Sequence, residues 1–105
     1  MELKHHNYLK TKIAGDLKKK GWVVEVEKTL KAKGEGHIRV DVFASKGKRC
    51  LIIECGYIET NRAQRIKDIV RKLRLDAKLI YQPYLDFCFD ERRTYLRCWR
   101  IIISD

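Results

Sequence analysis

The sequence is short of proline, of side-chain amides and of acid. One proline, Pro83, and six glycines in 105 residues exclude a proline- or glycine-rich linker. No stretch is low in complexity, so disorder is not expected beyond the last few residues. Apolar runs are short pieces such as Leu51–Ile53 and Ile101–Ile103, far below the roughly 20 residues that a membrane-crossing helix needs. The opening MELKHHNYLKTK offers no apolar segment suited to a signal peptide. The expectation is a cytoplasmic (intracellular) protein with no membrane partner. No CxxC pair occurs among the four cysteines at 50, 55, 88 and 98, which removes the usual zinc spacing. Cys50 and Cys55 stand an odd number of residues apart, so on one strand they face opposite ways. Buried, reduced thiols are the expected state. Two Asn and two Gln against 36% charged residues give the composition a thermophile character.

Positive charge is what the sequence has in plenty. Twenty-four Lys and Arg stand against fourteen Asp and Glu, a formal net charge of +10. Such an excess in so short a chain points to a polyanionic partner, most simply DNA or RNA; solubility alone is the competing account. The hydrophobic share, 45%, suffices for one core, and a chain of this length reads as a single domain over 1–105.

Leu9, Ile13 and Leu17 recur every four residues and predict an amphipathic helix over 2–20, closed by Gly21. Trp22 to Leu30 alternates as a strand, and a polar loop with two glycines leads to a second strand, His37 to Ala44. After the turn at Ser45–Lys48, Arg49 to Gly56 is apolar enough for a central strand covered on both faces. Thr60 or Asn61 caps a second helix to about Leu75, with Ile66, Ile69, Val70 and Leu73 as its buried stripe. Ala77 to Tyr81 is a fourth strand. Leu85 to Phe89 and Tyr95 to Ser104 read as a C-terminal strand pair. The order α-β-β-β-α-β predicts an α/β fold, a mixed central sheet flanked by helices.

Two of these strands each carry one acid among apolar residues, Asp41 and Glu54. They lie equally far from the turn at Lys46-Gly47, which brings them together as cross-strand neighbours, about 5 Å apart at Cβ. Two carboxylates that close repel each other. A hard divalent cation, Mg²⁺ or Mn²⁺, makes the pair tolerable, and such an ion activates water beside a phosphate. Glu25 or Glu27 on the preceding strand is a candidate third oxygen ligand.

The pattern Val-Asp41-Val, a turn, then Ile-Ile-Glu54-Cys-Gly56 resembles the PD-(D/E)xK, restriction-endonuclease-like nucleases over about residues 1 to 82. In scale it is similar to archaeal Holliday-junction resolvases. The opening His6-x-x-Leu9-Lys10 and Glu25-x-Glu27 look like the competence-protein-like branch. The resemblance implies a restriction-endonuclease-like core and a metal-dependent deoxyribonuclease, with Asp41, Glu54 and Glu27 (or Glu25) as metal and catalytic acids. The family's lysine belongs two residues after Glu54, where this chain has Gly56. Lys67, Gln64 and Lys10 are the candidates to replace it. The alternative is a degenerate nuclease fold that binds nucleic acid without cutting it.

Among the remaining residues, His6 and Lys10 share a helix face one turn apart. Arg62, Arg65, Lys67, Arg71 and Lys72 cover the second helix. With His6 and Lys10 they are the candidate phosphate contacts, a solvated charged face being the competing reading. Trp22 and Trp99 sit in apolar periodic segments and read as core or interface. Tyr95–Ile103 is the candidate contact of a homodimer.

Overall fold

The computed structural model describes residues 4–55, 60–82 and 101–102. Helix α1 (Lys4–Lys19) precedes three strands, β1 (Val23–Ala32), β2 (Gly36–Lys46) and β3 (Arg49–Cys55). Helix α2 (Thr60–Leu73), strand β4 (Asp76–Gln82) and the two-residue strand β5 (Ile101–Ile102) follow. The sheet order is β1-β2-β3-β4-β5. Pairing is antiparallel between β1 and β2, β2 and β3, and β4 and β5, but parallel between β3 and β4. The fold is α/β with a mixed sheet. Of the expected C-terminal pair, 85–89 lies outside the described residues, and β5 is the described part of the second strand.

Each helix covers one face of the sheet, and α1 carries the apolar stripe expected of it. On α2, Ile66, Ile69 and the partly buried Val70 hold the stripe, but Leu73, in the last turn, is exposed at 39% and Ala63 packs instead. On α1, Leu9, Ile13 and Leu17 are fully buried against Val42, Ala44, Leu51, Ile53 and Ile80. On α2, Ala63, Ile66 and Ile69 pack on Ile38, Val40, Phe43, Ile52 and Leu79. Strand β3 runs between them, and every residue from Cys50 to Cys55 is buried. Cys50 joins the α2 side and Cys55 the α1 side, both as free thiols. Trp22 packs against the α1 cluster.

Both helices end in the same hydrogen-bonded device. After α1, Trp22 N–H donates to Leu17 O and Gly21 N–H to Lys18 O, with Gly21 at φ 89°. This is the Schellman arrangement, whose left-handed residue suits glycine. After α2, Leu75 and Arg74 make the matching bonds to Val70 and Arg71, but the left-handed residue is Arg74, at φ 56°. The β2–β3 turn needs only Gly47 and Lys48, with Gly47 at φ 61°, as in the tight hairpin turns that match strand twist.

Strand β2 carries one irregularity. Its Ile38 and Val40 belong to the α2 cluster, whereas Val42 and Ala44 belong to the α1 cluster. A regular strand would keep alternate residues on one face. The switch falls at Asp41. Opposite it, the β1–β2 ladder runs Val26↔Val42 and Lys28↔Val40 without a Glu27–Asp41 bridge. Glu27 adopts the left-handed region at φ 56°, and that twist turns the outer half of the ribbon over. Among the described residues no helix is long and apolar enough to cross a membrane.

Candidate active site

The β2–β3 ladder is bridged from the turn as far as Val42↔Ile53. The next opposed pair is Asp41 and Glu54, and here side chains take over from the backbone. The Asp41 N–H donates to Glu54 Oε2 at 2.9 Å, and the Cys55 N–H donates to Asp41 Oδ2 at 2.8 Å. Each acid therefore fixes a main-chain donor that would otherwise lack a ladder partner where the strands part. The spacing from the turn, read in the sequence, is what makes these two residues meet.

Glu54 is buried, with 4% of its surface exposed. Burial pushes its carboxyl above the ordinary range, and the neighbouring charge of Asp41 pushes the same way. The Arg62 hydrogen bond and the Asp41 backbone N–H work against the rise without cancelling it. Arg62, from the first turns of α2, donates through Nε to Glu54 Oε1 and through Nη2 to the Arg39 carbonyl. Arg65, less than one turn further on, donates to the His37 carbonyl at 3.0 Å. These two α2 cations thus tie the helix to β2, and Arg65 remains exposed.

Beside the pair lies a second charged group. Lys10, buried on α1 with only 4% of its side chain exposed, brings Nζ to 3.2 Å from Glu27 Oε1. Arg39 Nη1 is 3.9 Å from the same oxygen. Glu27 stands opposite Asp41 by register, yet its carboxylate serves these cations. Among the described residues no three His, Cys, Asp or Glu side chains gather in a group that could hold a metal ion. The two opposed carboxylates nevertheless suit Mg²⁺ or Mn²⁺, since Mg²⁺ is commonly held by one or two carboxylates with water and phosphate completing the shell. Each Glu54 oxygen accepts one of the hydrogen bonds described, and a carboxylate offers about four acceptor positions.

The other sequence candidates are more scattered. Lys67 and Arg71 stand at a cavity between α2 and β4 lined by Ile66, Val70, Leu75 and Leu79; Arg71 also lies 3.6 Å from Asp68. Gln64 donates to Asp68, Lys72 is exposed, and Glu25 pairs with Lys28 at 2.8 Å. His6 falls in the first turn of α1, where the backbone alone is described. Sequence reasoning missed Arg39, whose carbonyl and guanidinium both enter the site; one exposed arginine on an alternating strand gives no signal of that.

No protein-family model matches the sequence, and no curated protein matches it. Among solved structures the fold is similar to AF1548, described as a protein of unknown function, with a TM-score of 0.52 and 12% identity. The match covers 72% of this chain and 46% of that one, so this chain spans less than half of that protein's length. The likeness is one of fold.

Proposed function

We propose that this chain is a Mg²⁺- or Mn²⁺-dependent deoxyribonuclease with a restriction-endonuclease-like core, acting on DNA in the cytoplasm. The observation that carries this reading is the Asp41–Glu54 pair, opposed in register where β2 and β3 part and each anchored to a backbone N–H. A divalent ion there would supply charge for a phosphoryl oxygen and a more acidic bound water. Asp41 and Glu54 hold that ion from adjacent strands. Their side chains are already fixed by the backbone, so little ordering is left to do on binding. Lys10 is the candidate for the lysine that the family places two residues after the glutamate. Its burial beside Glu27 gives a fixed ammonium at the flank of the pair, where Gly56 cannot provide one.

The second reading, a nuclease-like module that binds nucleic acid without cutting it, has its own support. Gly56 stands at the lysine position, and Arg62 already supplies Glu54 with a cation. Incubation with labelled linear, branched and single-stranded DNA in Mn²⁺ separates the two. The nuclease reading expects cleavage of at least one substrate and its loss, by about a hundredfold or more, in Asp41→Ala. Cleavage that survives in Asp41→Ala contradicts it. Binding with no cleavage of any substrate favours the second reading.

A further inference from the structure

A second concentration of charge lies at the other end of the sheet. Lys18, Lys19 and Lys20 close α1, and Lys46, Lys48 and Arg49 form the β2–β3 turn. The structure brings the two runs together: Lys46 Nζ donates to the Lys20 carbonyl at 2.9 Å, and a Cβ on Gly21 would meet that lysine at 3.6 Å. Lys46 and Arg49 are direct cross-strand partners, a like-charge placement that costs a hairpin stability. All six residues are exposed. Lys18, Lys19, Lys48 and Arg49 form no ion pair among the described residues. The nearby acids are Asp76, opposite Arg49 on β4, and Asp16, which lies 3.9 Å from Lys12.

The negative end of the α1 dipole accounts for lysines in its last turn. It does not account for Lys48 and Arg49 being added to them across a tight turn. Packed like charge of this kind raises the energy of the folded chain, and a polyanion offsets it. Meanwhile Arg62 and Arg65, the α2 cations nearest the acidic pair, are bonded to β2 and Glu54. Exposed positive charge is therefore not confined to the helix that the sequence pointed to.

We propose that this six-cation end is a phosphate-backbone anchor for duplex DNA, separate from the Asp41–Glu54 site. It rests on the reading of DNA as the partner. Asp41 to Lys46 and Glu54 to Arg49 are each five residues along a strand, which sets the near edge of the anchor about 17 Å along the strands from the acidic pair. Phosphates of one strand recur about every 3.4 Å along the duplex axis, so the anchor grips the backbone about five phosphates from the site. Its contacts are to backbone charge, and they carry no base preference.

The test is fluorescence anisotropy with a labelled 20-base-pair duplex in EDTA, over a range of salt, using the full chain. The variant Lys18→Gln/Lys19→Gln/Lys48→Gln/Arg49→Gln is expected to bind at least ~10-fold more weakly at 0.1 M salt. Each lost phosphate contact lowers the salt slope by about 0.9, so the slope should fall by about two or more. A control at exposed lysines of the β1–β2 connection, Lys31→Gln/Lys33→Gln, should stay within ~2-fold of the unaltered protein, since phosphate contacts act where they are made. Circular dichroism confirms folding, and the double variant Lys48→Gln/Arg49→Gln serves if the quadruple one fails to fold. Unchanged affinity and slope while the unaltered protein binds duplex would overturn the anchor alone. No binding by the unaltered protein at low salt would overturn the DNA reading with it.

Discussion

Glu54 is the residue on which burial, charge and hydrogen bonding meet. Its carboxyl is pushed above its ordinary value of 4.5, first by burial and then by Asp41. Across the window from 4.5 up to the raised value, the folded chain keeps a proton that the unfolded chain has released. The unfolded state binds fewer protons there, so stability falls as pH rises through that window. Urea unfolding at stepped pH without divalent ions should show that slope, and Glu54→Gln should remove it. Arg62 acts in the same place from the opposite sign. Removing one partner of a buried ion pair costs about 3–5 kcal/mol. Arg62 keeps 36% of its side chain exposed, which lowers the expected cost of Arg62→Gln to about 2 kcal/mol. The same variant should gain more stability from added Mn²⁺ than the unaltered chain does, because no guanidinium then opposes the ion. Thermal unfolding with and without Mn²⁺ measures both effects.

At the level of elements, most of the scaffold was legible because its signals are local and periodic. Leu9, Ile13 and Leu17 defined α1, Gly21 closed it, and the apolar run at Cys50–Ile53 marked the central strand. The equal distance of Asp41 and Glu54 from their turn already implied the pairing. What was not legible depends on backbone states that no side chain announces. Glu27 in the left-handed region, and the change of face that it brings to β1 and β2, breaks a period-two pattern with an ordinary strand residue. The hydrogen bonds of Arg62 and Arg65 to Glu54 and β2 were likewise hidden, since a basic helix face looks the same whether or not its cations reach a neighbouring strand. Arg74 shows the local cost of such a state. It occupies at φ 56° the position that Gly21 fills after α1. Arg74→Gly should stabilise the fold by about 1 kcal/mol, since a left-handed side-chain-bearing residue is strained by roughly that amount. Chemical denaturation midpoints check this, and a loss of stability would show that the Arg74 side chain contributes more than its strain.

For the whole molecule, the two helix layers cover the faces of the sheet and leave charged groups toward the ends of its strands. One end holds the acidic pair, the buried Lys10–Glu27 contact and Arg62; the other holds the exposed cations of α1 and the β2–β3 turn. In the proposed reading, the +10 charge would favour a polyanionic partner and a divalent cation would share the charge of the acidic pair. The central claim is that Asp41 and Glu54 hold that cation, and Mn²⁺ titration by calorimetry tests it most directly. One saturable site is expected in the unaltered chain, lost in both Asp41→Asn and Glu54→Gln while each variant stays folded. No saturable binding, or binding retained in both variants, contradicts the account.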